Sequence, residues 1–384
     1  MSARWEAINN VTQETMKDVR YNHRPIPVAR PLLPTLGSVA PYLAEIDQNR
    51  MYSNFGPLCQ RFESRLAAFY GVSPEAILTV ANATAGLTCA LLAVASAKKG
   101  FCYLPSWTFC ASAHAAILAG FEPYFLDVDP QSWQLTPAAV RSAVEKTGER
   151  GTVMVVAPFG GAVNVQEWDD FSRETGMKVV IDAAAAFASQ KVGLSPVVVS
   201  LHATKALGVG EGGFVTSHDT DLISRIKQNA NFGFRGSRTA EVHALNGKLS
   251  EFGAAVGLAA LDCWPQTLRS WLRVQRHYWE RLYALDANIK MARPSRAVSS
   301  TLVARFPVTG EDVREAFAEL GIESLRWWGH GCHRDPAFEN YPRESLPVTC
   351  ELAEHTLGLP LFVDMTTSDI DTVIEGLLSA LRRH

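Results

Sequence analysis

The sequence predicts an α/β protein: a large unit built on a mostly parallel sheet covered on both faces, followed by a smaller α+β domain. Three observations lead there. Short, nearly continuous apolar runs alternate with amphipathic stretches between residues 76 and 216, the pattern of strands buried on both faces and joined by helical crossovers. That rhythm changes after residue 265. Finally, 384 residues are too many for one ordinary core, so two packed units are expected.

Residues 1–50 are punctuated by prolines (Pro25, Pro27, Pro31, Pro34) and weakly periodic, and they read as an N-terminal arm with a short helix over 39–48. Leu58, Phe62, Leu66 and Phe69 then share one helical face, and Gly71 ends the run. Strands are expected over 76–80, 101–104, 123–127, 152–157, 178–181, 197–200 and 213–216. Helices over 85–97, 110–119, 137–146 and 165–175 fit between them. A further helix beginning near Ser250 is expected to stop near Asp262, before Trp264 and Pro265, because an interior proline removes a hydrogen bond and clashes with the preceding turn. The division is therefore a large domain over 51–265 and a small C-terminal domain over 266–384. The small domain would hold a helix over 267–287, a strand over 300–306, a helix over 310–320, an irregular aromatic stretch over 326–347 and a closing helix over 368–381.

Composition narrows the classes of function. The chain is 47% hydrophobic and 20% charged, ordinary for a soluble globular protein. A net charge of -3 gives no electrostatic reason to expect nucleic acid or an anionic membrane as partner. The first residues lack the basic start and apolar stretch of a secretory signal, and no apolar run is long enough for a membrane span. Cys59, Cys89, Cys102, Cys110, Cys263, Cys332 and Cys350 are scattered without a Cys-x-x-Cys pair. That argues against a zinc site or a disulfide framework and for reduced thiols in the cytoplasm.

The chemistry gathers around two residues. Asp182 closes one expected strand, and Lys205 follows the next; both would emerge at the edge of a parallel sheet where ligands bind. Pyridoxal 5'-phosphate needs such a pair. A desolvated lysine forms a Schiff base with its aldehyde and later carries protons, while a carboxylate keeps the pyridine nitrogen protonated so that the ring accepts electrons. Singly, Asp182 reads equally well as a cap for residues 183–186, and Lys205 as a solvated loop lysine. Ala83, Thr84 and Ala85 lie between a strand and a helix, small enough to bring backbone N–H groups to a phosphate at a positive helix end. Ser200 would approach that phosphate from the lysine side. Trp107 and Phe109 follow another strand, where an aromatic either stacks on a ring or packs in the core.

At these residues the sequence resembles the DegT/DnrJ/EryC1/StrS family, the sugar-nucleotide aminotransferases of pyridoxal-phosphate fold type I, which is aspartate-aminotransferase-like. The resemblance runs from about residue 49 to 361. It is carried by Tyr52-Ser53-Asn54-Phe55-Gly56-Pro57, Pro105-Ser106-Trp107-Thr108-Phe109, Phe125-Leu126-Asp127-Val128-Asp129, Ser200-Leu201-His202-Ala203-Thr204-Lys205 and Gly210-Glu211-Gly212-Gly213. It implies that Lys205 is the Schiff-base lysine and Asp182 the ring-nitrogen acid. Ser200 and Ala83-Thr84-Ala85 match the phosphate contacts, and Phe109 matches the stacking aromatic ahead of Trp107. Asn246 matches an asparagine that the partner subunit contributes to the phosphate site, and Lys248 a basic position beside it. The active sites of a homodimer would then lie at the interface.

Retention of Lys205 separates the chain from relatives that carry histidine there and dehydrate C3. Ala185 stands where many relatives have Gln or His, and His202 reads first as a structural histidine. Residues 326–333, with Arg326, Trp327, Trp328 and His333, either flank a nucleotide or sugar or pack as a loop, without metal-ligand spacing. The implied activity moves an amino group from L-glutamate, by way of pyridoxamine 5'-phosphate, to a nucleotide-linked keto-sugar. The substrate expected is a dTDP-4-keto-6-deoxyhexose aminated at C4, in surface-polysaccharide (lipopolysaccharide or O-antigen) synthesis. The alternatives are C3 amination of a 3-keto nucleotide sugar, or a non-catalytic sensor that keeps the fold.

Overall fold

A computed structural model describes residues 25–95, 99–285, 289–291 and 298–383. The first part of the expected arm, and the ends of the helices expected over 85–97 and 267–287, lie outside those residues.

Seven strands form the main sheet: β1 (Ile77–Val80), β2 (Phe101–Pro105), β3 (Glu122–Leu126), β4 (Thr152–Val156), β5 (Lys178–Asp182), β6 (Val197–Ser200) and β7 (Gly213–Thr216). Their order is β1-β7-β6-β5-β4-β2-β3. From β3 to β6 every neighbouring pair is parallel, as expected for strands separated by helices. β7 runs antiparallel to both of its neighbours. The reason is local. The segment between β6 and β7 contains no helix and zips back on itself, Leu201 N–H bonding Gly212 O and Ala203 N–H bonding Gly210 O.

Alternate side chains of each strand enter two separate cores. Leu104, Met154, Val180, Val198 and Val215 pack with α3 (Ala83–Val94), α4 (Cys110–Leu118) and α7 (Thr220–Ala230). Val153, Val155, Val179, Ile181 and Phe214 pack on the other face with α1 (Leu36–Asn49), α2 (Pro57–Tyr70), α5 (Pro137–Thr147), α6 (Val165–Thr175) and α8 (Glu251–Tyr283). Burial on both faces explains why these strands read as unbroken apolar runs. The sequence reading missed α7, whose Leu222, Ile223 and Ile226 are buried and whose N-cap Asp219 accepts the Leu222 N–H. It grouped Phe69 with Leu58, Phe62 and Leu66 on one face of α2, and those three are buried. Phe69 is 41% exposed and lies stacked 5.1 Å from Phe187. Gly71 ends α2 in the left-handed region at φ 66°, where a Cβ would be strained.

The expected stop before Pro265 is overturned, because α8 continues through it for 33 residues. Pro265 is itself exposed, so its ring meets solvent and not the core. Thr267 Oγ1 also donates to Cys263 O in the same turn. Contacts on either side hold the helix in place: Trp264 and Trp271 are buried, Trp271 Nε1 donates to Ala206 O, and Tyr278 Oη donates to Pro360 O. At the other end of the rod, Glu251 is fully buried and accepts the N–H groups of Leu58 and Cys59, at 2.8 and 2.9 Å, from the first turn of α2.

A second, antiparallel sheet is ordered β10-β9-β8, from β8 (Lys290–Met291), β9 (Leu302–Arg305) and β10 (Thr356–Leu359). α9 (Gly310–Glu319), α10 (Pro347–His355) and α11 (Thr367–Arg382) accompany it. α10 and β10 were not expected. Asp127, just past β3, accepts the N–H groups of Val348 and Thr349 and so caps α10 from the main sheet. Among the described residues, no helix is long and apolar enough to cross a membrane.

Candidate active site

Asp182 ends β5 and Ser200 ends β6, at the edge where α3 and α4 begin. One close approach makes that edge. A Cβ on Gly213 would stand 2.9 Å from Val199 O and 3.0 Å from Ala83 N, so only glycine lets the first turn of α3 sit against β7. Asn82 caps α3, accepting the Ala85 N–H at 2.8 Å. The first N–H groups of the helix have no intrahelical acceptor and carry its positive end. Lys205 lies on the turn after β6, its N–H bonding His202 O at 2.9 Å.

Ala83, Thr84, Ala85, Phe109, Asp182, Ser200 and Lys205 all line one cavity of about 1080 Å³. Asp182 and Lys205 look across it without touching: among the described residues no ion pair within 4.0 Å joins them. Burial raises the pKa of Asp182, opposed by the Ser112 hydroxyl, by the Ala184 N–H and by the charge of Lys205. Burial lowers the pKa of Lys205, opposed by Asp182. Its Nζ has no hydrogen-bond or ion-pair partner among the described residues. The result is an amine shifted toward its neutral, nucleophilic form, facing an acid whose charged form hydrogen bonds support against the cost of burial.

The bland readings of these two residues fare differently. Asp182 does accept the Ala184 N–H at 3.1 Å, but a turn and not a helix follows. Lys205 is only partly accessible. Phe109 is 56% exposed beside the cavity, whereas Trp107, 2% exposed, is packed edge-on to Trp328 at 5.5 Å. His202 also lines the cavity; its Nδ1 accepts the Thr204 N–H at 3.2 Å. Ala185 lines the cavity as well, so no polar side chain reaches it from that position. Asn246 is not among the lining residues. It lies beside β1, where Gly247 O accepts the Ala81 N–H, and its Oδ1 accepts from Lys248 Nζ at 2.7 Å.

Sequence reasoning missed two contributors, Ser112 and Phe159. Ser112, in the first turn of α4, donates to Asp182 Oδ2 at 2.7 Å. Phe159 and Trp328 stack with ring centroids 3.9 Å apart and wall the cavity, with Phe159 in the left-handed region at φ 49°. The signal for Ser112 is present in its four-residue spacing from Thr108, at the start of a helix whose only other polar side chain is His114. For Phe159 there is none, since nothing local marks the contact with Trp328. Of the stretch 326–333, Trp327 and Trp328 reach the cavity. Cys332 and His333 instead fasten the turn after β2: Cys332 N–H bonds Ser106 O at 2.9 Å, and His333 Nδ1 lies 2.7 Å from Ser106 Oγ.

The family model of the DegT/DnrJ/EryC1/StrS aminotransferase family matches residues 38–378. The chain is 32% identical over 373 residues to the dTDP-4-amino-4,6-dideoxy-D-glucose transaminase of Shigella dysenteriae, covering 94% of this chain and 99% of that protein. It is 30% identical over 374 residues to Protein Rv3402c of Mycobacterium tuberculosis (strain ATCC 25618 / H37Rv), covering 92% of this chain and 90% of that protein. A solved putative PLP-dependent aminotransferase from Bacillus cereus ATCC 10987 superposes with a TM-score of 0.87 at 30% identity, over 92% of this chain and 100% of that one. DesI, solved in the presence of its TDP-sugar product, superposes with a TM-score of 0.84 at 30% identity, over 95% of each chain.

Proposed function

The chain belongs to the DegT/DnrJ/EryC1/StrS aminotransferase family and is a pyridoxal-phosphate-dependent sugar aminotransferase, and from that premise we propose that it moves the amino group of L-glutamate to C4 of a dTDP-linked 4-keto-6-deoxyhexose. The observation that carries the assignment of roles is the pair Asp182 and Lys205, facing each other across one cavity beside the N-terminus of α3. The donor set fits the cofactor: a partly accessible lysine without a partner, a hydrogen-bonded acid, and a helix end flanked by the Thr84 and Ser200 hydroxyls.

When bound, pyridoxal 5'-phosphate supplies an aldehyde that carries nitrogen and a ring that withdraws electrons. The Lys205 amine holds the cofactor by its aldehyde carbon and, once released, carries a proton at Nζ between donor and acceptor carbons. The Asp182 carboxylate holds a proton on the ring nitrogen. The N–H groups of Ala83 and Thr84 and the hydroxyls of Thr84 and Ser200 would hold the phosphate. Ala85, whose N–H is taken by Asn82, lines the same turn, and Phe109 would lie against the ring. The choice of a dTDP sugar aminated at C4 rests on two relatives: the Shigella dTDP-4-amino-4,6-dideoxy-D-glucose transaminase, and DesI with its TDP-sugar product.

We further take the active unit to be a cytoplasmic homodimer in which Asn246 of one chain completes the phosphate site of the other. The exposure of Tyr52, Phe232 and Phe252, at 48, 45 and 49%, supports a partner over that face. The border between the large and small domains is placed at residue 265, inside α8.

The deciding experiment incubates the purified protein with L-glutamate and either 3-keto or 4-keto dTDP sugars, and locates the new amine by NMR. A 4-amino product is expected. A product aminated at C3 overturns the position. A glutamate-driven change in the cofactor spectrum with neither sugar consumed overturns the substrate and leaves the aminotransferase intact.

A further inference from the structure

We propose that Ser112 is a positioning residue for the reaction: with Thr108 behind it, it aims and stabilises the Asp182 carboxylate against the cofactor ring. This rests on the reading of Asp182 as the ring-nitrogen acid.

The geometry has a single direction. Asp182 is 6% exposed, and Ser112 and Thr108 are 0 and 1% exposed, so solvent does not compete for their protons. Ser112 Oγ donates to Asp182 Oδ2 at 2.7 Å. With its proton engaged there, Ser112 Oγ can only accept in its 2.8 Å contact with Thr108 Oγ1, so Thr108 is the donor of that pair. The other acceptor within reach of Thr108, Phe109 O, is longer at 3.4 Å. A chain of donors therefore runs from Thr108 to Ser112 to the acid, each bond polarising the next. On the other oxygen, Asp182 Oδ1 accepts the Ala184 N–H. Two donors on two oxygens fix the plane of the carboxylate and leave its free lone pairs for a partner in the cavity.

The same short turn does a second thing. Phe109 stands between Thr108 and the first residue of α4 and lines the cavity. One segment, residues 108–112, thus sets both the aromatic proposed to lie on the ring and the donor to the acid that holds the ring nitrogen. It is anchored from the C-terminal part of the chain, where Cys332 Sγ donates to Thr108 O at 3.4 Å and Cys332 N–H bonds Ser106 O. Among the groups that favour the charged form of Asp182, the Ser112 hydroxyl ranks above both the Ala184 N–H and the Lys205 charge. A neutral Asp182 cannot keep the ring nitrogen protonated. The hydroxyl of Ser112 is therefore tied to the electron-accepting power of the site and not only to its packing.

The test compares full-length wild type, Ser112→Ala, Ser112→Thr and Asp182→Asn, titrated with pyridoxal 5'-phosphate by visible absorption across pH. Losing a hydrogen bond to a charged group should weaken cofactor affinity about tenfold in Ser112→Ala. Because the acid becomes harder to ionise, the acid limb of the affinity profile should move to higher pH. Ser112→Thr, which keeps the hydroxyl, should retain the wild-type limb. Wild-type affinity and limb in Ser112→Ala, or an equal shift in Ser112→Thr, overturns the proposal. Thr108→Val should shift the limb in the same direction by less, and no shift there removes Thr108 from the chain of donors. Should Asp182→Asn bind cofactor like wild type, the reading of Asp182 itself fails. Should Asp182→Asn be crippled while Ser112→Ala is normal, only the role of Ser112 fails.

Discussion

Asp182 and Glu251 are both carboxylates sunk in the protein, one at the edge of the sheet and one at the root of α8, and each takes one donor per oxygen in very different surroundings. Glu251 is fully buried, and each oxygen takes a main-chain N–H of α2; Asp169 does the same for Leu194 and Ser195, both at 2.8 Å. Their partners are fixed parts of the backbone, and the acids act as rivets. Asp182 has one main-chain donor and one hydroxyl, and its remaining capacity faces a cavity that also contains an unpartnered lysine. Burial and the number of donors are alike, one donor to each oxygen, and the surroundings are not. An acid enclosed by backbone holds structure together, whereas one that lines a cavity beside an opposite charge has something still to bind.

The comparison can be broken in several places. The largest effect belongs to Lys205→Ala. Turnover should fall by at least about a thousandfold and the visible band of bound cofactor should vanish, with the circular dichroism of the native protein retained. A mutant that transaminates near the wild-type rate would undo the assignment of the cavity. Next comes Asp182→Asn, expected to weaken cofactor binding by about thirtyfold or more, since one half of a buried charge pair is lost, while unfolding by denaturant changes little. Glu251→Gln should invert that outcome. Stability should drop by about 2 kcal/mol, from replacing a charged acceptor by an amide that faces two N–H donors, and turnover per folded molecule should be kept. If Glu251→Gln instead lost cofactor and kept stability, the two acids would not differ as described.

The smallest effect is one of pH. Only the neutral amine attacks the aldehyde, and burial lowers the Lys205 pKa from 10.5. The rate of cofactor capture by protein freed of it should therefore rise with pH and level off below pH 10.5. A midpoint at or above that value, from stopped-flow absorption, would mean that the lysine is solvated.

Much of the fold and the centre of the site are legible in the amino-acid sequence. The seven strands of the main sheet fall where apolar runs predict them, because burial on both faces writes itself as continuous hydrophobicity. Asp182 and Lys205 are legible because both follow strand ends. What stays hidden depends on contacts far apart in the chain. Pro265 reads as a helix stop, and only the packing of Trp264, Trp271 and Tyr278 shows why it is not one. α10 begins where it does because Asp127, more than two hundred residues earlier, caps it. Ser112 carries a spacing but no indication of its acceptor, since β5 lies seventy residues downstream. The left-handed Phe159 cannot be foreseen without Trp328 lying on it.

The uninterrupted α8 has a mechanical consequence. At about 1.5 Å per residue, its 33 residues make a girder roughly 50 Å long, riveted to α2 by Glu251 at one end and tied to Pro360 by Tyr278 toward the other. Two sheets bolted to one girder cannot slide independently. Any bending of that girder would concentrate where the backbone ladder misses a rung, at Pro265.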